Sequence, residues 1–198
     1  MLAAGNSLGK EVKYLITGAT GFIGPPLVRT LAGKGHACRC LVRSNSNTDS
    51  LKESGVELVE GDITRAATLK GIADGIDRVL HLATLGHMSN FSVTESMFES
   101  INVRGTQNVM AEALRAGVTR VVHCSTVAAM GICKDVPATE ASACNPHHPY
   151  GRSKLKAEQN VLGLIKEKHL PAVIVRFSMV YGPGDVRDIL KLTRMAKK

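Results

Sequence analysis

The chain has 198 residues, 44% hydrophobic and 21% charged, a balance that suits one globular domain and excludes a disordered chain. No apolar run approaches the roughly 20 residues that cross a bilayer, and the start MLAAGNSLGKEVKYLITG lacks a signal peptide's basic head and long apolar stretch, so the expectation is a cytoplasmic protein with no membrane partner. The formal charge of +8 raises nucleic acid as a partner, but the bases are scattered, and Lys191, Arg194, Lys197 and Lys198 fit a solvated helix face better than a groove-binding surface.

Strand-like and helix-like patterns alternate along the chain. VKYLIT (12–17) is a short apolar run stopped by Gly18, and Ile23, Leu27, Val28 and Leu31 follow at helical spacing. ACRCLV (37–42) reads as a second strand. Its Cys38 and Cys40 fall on one face, where reduced thiols are expected and a zinc site is the alternative. VELVEG (56–61) is a third strand, 65–73 a short helix and DRVLHLA (77–83) a fourth strand. A long helix ends near Ala116-Gly117, glycine being the stop signal. VTRVVHCS (118–125), a helix over 150–168 and PAVIVRF (171–177) complete the pattern. Strands apolar on both faces, separated by helices, predict a parallel, doubly wound sheet of the Rossmann type, with helices on both faces. The irregular stretch 131–149 is long enough to be a functional loop.

TGATGFIG places Gly18, Gly21 and Gly24 between the first strand and the first helix. Glycines there let backbone approach a pyrophosphate resting on the helix N-terminus. Pro25 and Pro26 follow, tolerated in a first turn. After the second strand the sequence reads LVRSNSN. Arg43 stands 19 residues past Gly24, with no acid nearby to hold the ribose hydroxyls of NAD. An arginine suits the 2′-phosphate of NADP, although a solvent-facing loop arginine reads the same way. Asp62 in EGDIT has the place of an adenine-binding residue or of a helix N-cap. Ala83, ending HLA, is small enough to let a cofactor pass close to the backbone.

Tyr150 and Lys154 lie i, i+4 at the start of a helix and share a face. A lysine ammonium nearby favours the phenolate, so Tyr150 could exchange a proton with substrate oxygen as hydride moves. A surface Tyr–Lys contact is the bland alternative. The fifth strand ends in two hydroxyls, Ser125 and Thr126.

TGATGFIG, GDIT, HLA, NVRGTQNV, YGRSK and RFSMVYGPGD, in this order, resemble the extended short-chain dehydrogenase/reductase family. That family includes NAD-dependent epimerases and dehydratases, 3β-hydroxysteroid dehydrogenases and dihydroflavonol reductases. The resemblance covers essentially the whole chain and implies a nicotinamide cofactor bound by Gly18, Thr20, Gly21, Phe22, Ile23, Gly24, Arg43, Asp62, Ile63, Leu82, Ala83, Tyr150 and Lys154. It selects Thr126, five residues before Gly131, over Ser125 as the substrate-binding hydroxyl. It makes Tyr150 the acid/base, Lys154 its partner and a ribose ligand, and Asn102 a structural support. Arg43 looks like the arginine of the family's NADP-using reductases. Phe177 after Arg176 departs from the proline often found there.

The expectation is therefore an NADP-dependent oxidoreductase acting on a carbonyl or alcohol of a small organic substrate. The alternatives are an NAD-using nucleotide-sugar epimerase or dehydratase and a non-catalytic NADP-binding regulator. Family members continue into a C-terminal substrate lobe, so residues 1–198 are expected to form the cofactor-binding domain, with that lobe absent or truncated. Apolar surface bared by its loss would favour aggregation or pairing with a second copy.

Overall fold

The computed structural model describes residues 11–52, 54–86, 93–183 and 195. The basic cluster at 191–198 lies outside the described residues. Six parallel strands form one sheet: β1 (Lys13–Thr17), β2 (Ala37–Val42), β3 (Glu57–Glu60), β4 (Arg78–His81), β5 (Arg120–Thr126) and β6 (Ala172–Phe177). Their order is β3-β2-β1-β4-β5-β6. The chain winds outward in both directions from β1, so a crevice opens at the carboxyl ends of β1 and β4.

Each crossover begins and ends on local signals. Helix α1 (Gly24–Gly33) starts on two prolines and α2 (Asp49–Lys52) is a single turn. Helix α3 (Glu95–Phe98) is capped by Thr94, passes through a π-helical turn over Glu99–Arg104 and continues as α4 (Gly105–Ala116). Gly117, at φ 63°, ends it in the left-handed conformation. Helix α5 (Pro149–Lys168) is capped by the His148 ring, which accepts the Tyr150 N–H. The sequence predicted an α-helix over 65–73, but only a 3₁₀ turn forms, over Ala66–Leu69. Two positive-φ glycines, Gly71 and Gly75, keep the segment too irregular for a longer helix.

Strand residues alternate between two cores. One, against α1 and α2, contains Tyr14, Ile16, Val28, Cys38, Cys40 and Leu51. The other, against α4 and α5, contains Leu15, Leu41, Val79, Met110, Val121 and Val161. Cys38 and Cys40 do share one face, as free thiols, and burial pushes Cys40 up to about 12. No described helix is long and apolar enough to cross a membrane.

Candidate active site

The glycine loop is a pair of tight turns at the end of β1. The Gly21 amide donates to the Gly18 carbonyl at 3.0 Å and the Gly24 amide to the Gly21 carbonyl at 3.2 Å. Gly18 has φ 74°, and a Cβ there would lie 2.6 Å from the Ala83 nitrogen, so any side chain would push β1 away from the end of β4. A Cβ on Gly24 would lie 2.1 Å from the Ala19 carbonyl oxygen, so only glycine lets α1 pack this closely. Pro25 and Pro26 contribute no N–H to the first turn. An anion at this end must therefore draw its donors from the loop 18–24 more than from the helix proper. Thr20, Phe22 and Ile23 all belong to that loop.

Arg43 follows β2 directly and is exposed, its backbone fixed by bonds to Ser46 in both directions. Asp62 follows β3. Its carboxylate accepts the Thr64 amide and the Thr64 hydroxyl, both at 2.8 Å, in a local turn. Burial opposes ionisation of Asp62, but the Thr64 bonds outweigh it, and with Arg43 and Arg65 they hold the carboxyl below its usual range. Arg43 and Asp62 thus stand in one field at the outer end of the crevice. Ile63 packs on the backbone of Gly105, and Leu82 and Ala83 leave β4 bonded to Thr17.

The fifth strand and α5 bring the catalytic candidates together. Strand alternation buries Ser125 on the α5 side, while Thr126 is half-buried and accepts the Ala128 amide at 3.2 Å. Lys154 is 2% exposed, and its ammonium donates to the Cys124 carbonyl at 2.7 Å. Burial pushes it down to about 8, against the opposite pull of Cys124 and Glu158. Tyr150, one turn earlier, is half-buried with its ring 6.1 Å from that of Phe98. Behind them Arg176 makes a forked ion pair with the fully buried Glu158, the shortest contact being 2.7 Å. This pair ties β6 to α5 whatever residue follows Arg176.

A polar layer lies under this site; sequence reasoning named Asn102 in it, as a structural support, and missed the rest. His81 Nδ1 meets the Thr17 hydroxyl at 2.7 Å, and His81 Nε2 meets the Thr106 hydroxyl at 2.9 Å. Thr106 donates its proton to the Asn102 carbonyl at 2.7 Å. The Asn102 side chain accepts from the Leu85 amide and the Thr84 hydroxyl, and donates to the Leu85 carbonyl and the Ser153 hydroxyl. Ser153 donates to the Tyr150 carbonyl at 2.8 Å. His123, in register with His81, stacks on it with ring centroids 5.4 Å apart. Burial pushes His81 down to about 3 and His123 to about 2, with Lys154 adding to both and His81 also to His123. For the histidines, the available signal was a ring-bearing residue inside each of two predicted strands, DRVLHLA and VTRVVHCS.

A parallel sheet in this order, with a glycine turn at its switch point, defines the Rossmann class of NAD(P)-binding proteins. The profile of the family described as "NAD dependent epimerase/dehydratase family" matches residues 14–198, and the chain belongs to that family, within the extended short-chain dehydrogenases/reductases. It is 35% identical over 179 residues to sterol demethylase protein B of Methylococcus capsulatus, covering 89% of this chain and 54% of that one. It is 34% identical over 178 residues to a putative dihydroflavonol 4-reductase of Synechocystis, covering 88% and 51%. The structure of a dTDP-glucose 4,6-dehydratase from Streptomyces venezuelae, with NAD and TYD bound, superposes with a TM-score of 0.79 at 27% identity, covering 94% and 63%. The chain spans about half the length of the curated relatives it matches.

Proposed function

We propose that residues 1–198 form the cofactor-binding domain of an NADP-dependent reductase. Its reaction interconverts a carbonyl and an alcohol on a small organic substrate. The observation that carries the proton-transfer half is Lys154: a buried ammonium anchored to the Cys124 carbonyl, one helical turn from Tyr150. The residues fit a nicotinamide dinucleotide. The glycine loop offers backbone amides to a pyrophosphate, Arg43 lies at the end of β2 where an adenosine ribose would reach, and Ala83 leaves room beside β4. The bound nicotinamide supplies or accepts the hydride.

The chain's own groups do the rest. Thr126 holds the substrate oxygen. Tyr150 passes a proton to or from that oxygen, and the Lys154 charge favours its phenolate. Lys154 also reaches the nicotinamide ribose. Thr20, Phe22, Ile23, Asp62, Ile63 and Leu82 line the cofactor. Thr126 serves better than Ser125 because it is the less buried of the two strand-end hydroxyls.

A nucleotide-sugar epimerase or dehydratase using NAD is the second reading, favoured by the NAD in the Streptomyces dehydratase structure. Fluorescence titration separates the two. The chain is expected to bind NADPH more tightly than NADH, and Arg43→Ala to weaken NADPH alone, since only NADPH carries the 2′-phosphate. Equal affinities in the unmodified chain would favour the NAD reading.

A further inference from the structure

We infer that His81 is a positioning residue, linking the glycine-loop strand to the helix that carries Tyr150 and Lys154 through a one-way chain of hydrogen bonds. The inference rests on the reading of Tyr150 and Lys154 given above.

The direction of the chain follows from proton counting. Thr106 has one hydroxyl proton, and it goes to the Asn102 carbonyl at 2.7 Å. Toward His81 the Thr106 oxygen can therefore only accept, so Nε2 carries the ring proton. In a neutral ring Nδ1 then has a lone pair, and it accepts the Thr17 hydroxyl at 2.7 Å. Thr17 in turn accepts the Ala83 amide at 3.2 Å. Every donor has one acceptor from Ala83 to Asn102, and only the Nε2–H tautomer allows it. His81 is 1% exposed, so a broken member would leave a buried polar atom cut off from bulk solvent.

The two ends of this chain are the two halves of the proposed site. Thr17 and Ala83 set the close approach of β1 and β4 at Gly18. Asn102 sits in the π-helical turn and reaches Ser153, which bonds the Tyr150 carbonyl in the first turn of α5. Residues far apart in sequence are thus fixed at hydrogen-bond distances. A doubly protonated ring, or a side chain with one polar atom, cannot serve both ends at once. Among the described residues His123 contributes its ring face but no hydrogen bond, and the link runs through His81.

Nitrogen-15 NMR of histidine-labelled protein tests the first step. Two rings are expected to stay uncharged down to pH 5, and the one lost in His81→Gln is expected in the Nε2–H form. Assignment of His81 as Nδ1–H would overturn the proposal. The second step uses Thr106→Val and Thr106→Ser, read by NADPH titration and by hydrogen exchange at the Lys154 and Leu155 amides. Thr106→Val is expected to lose roughly tenfold in NADPH affinity, about one hydrogen bond's worth, and to speed exchange in the first turns of α5 only. Thr106→Ser is expected to restore both. A Thr106→Val protein that binds NADPH normally and merely melts earlier would reduce the chain to a packing role. If the unmodified chain binds neither NADPH nor NADH, the functional reading fails. The exchange data still decide the positioning claim, and faster exchange across the whole sheet would refute it.

Discussion

The two faces of the sheet are built on different terms. Under α1 and α2 the core is Tyr14, Ile16, Ala19, Val28, Cys38, Cys40 and Leu51, closed by apolar and thiol groups. Toward α4 and α5 an apolar cluster of similar make-up gives way, near the carboxyl ends of β1, β4 and β5, to Thr17, His81, His123, Ser125, Lys154 and Glu158. Apolar burial stabilises without directional demands. Buried polar groups cost free energy unless every partner is in place, and they fix geometry when it is. The apolar clusters of both faces hold the fold together; the polar layer on the second gives up some stability to hold side chains in register beneath the crevice.

The largest expected break in this contrast comes from Arg176→Ala. It leaves the Glu158 carboxylate, 0% exposed, without its hydrogen-bonded cation and with only the Lys154 charge nearby. Losing one partner of a buried pair costs about 3–5 kcal/mol. Denaturant unfolding at pH 7 measures it, and a loss below about 1 kcal/mol would show that the Lys154 charge alone suffices for Glu158.

Acid and alkali should separate the faces next. His81 and His123, pushed down from 6.5 to about 3 and about 2, stay neutral when folded and take up protons when unfolded. Stability is therefore unaffected by them above pH 6.5 and falls as pH drops through the window below it, by about 1.4 kcal/mol per pH unit for each ring. Cys40, raised from 9.0 to about 12, has the opposite sign: its contribution is present below pH 9 and is lost as pH rises toward 12. Melting temperatures across pH 5–10 should fall at both ends, with Cys40→Ala flattening only the alkaline limb.

The smallest expected effect sharpens the comparison. Both ring nitrogens of His123 are buried without a hydrogen-bond partner. His123→Leu removes two orphaned polar atoms from the functional face and should leave stability at pH 7 unchanged or raise it by about 1–2 kcal/mol. It should also halve the acid slope. A clear loss at pH 7 would mean that the stack on His81 contributes more than its burial costs.

The contrast explains what was readable in the sequence. All six strands were legible because each is an apolar run bounded by glycine or a polar turn, a local signal. Gly18 and Gly24 were legible for the same reason, and Tyr150 with Lys154 because a helix repeats every four residues. The Thr17–His81–Thr106–Asn102 chain and the Glu158–Arg176 pair were not. Their partners lie 64, 25 and 18 residues apart, and a hydrogen bond across such distances leaves no trace in local pattern. The π-helical turn was invisible too, since apolar spacing alone does not reveal one extra residue in a helix.

That extra residue has a consequence for how this helix tolerates length change. An α-helix advances about 100° per residue and a π-turn less, so the wider turn at Glu99–Arg104 takes up one more residue than an α-turn would. Deleting one residue there would regularise the helix and remove the widened turn in which Asn102 sits, while α3 and α4 would keep their facing sides to within a fraction of one step of about 100°. The contact of Phe98 with the Tyr150 ring should then survive, whereas Asn102 would leave Leu85 and Ser153. The turn is therefore a place where one residue of length can be gained or lost at the expense of Asn102's position and not of the pairing between the two helices and their neighbours.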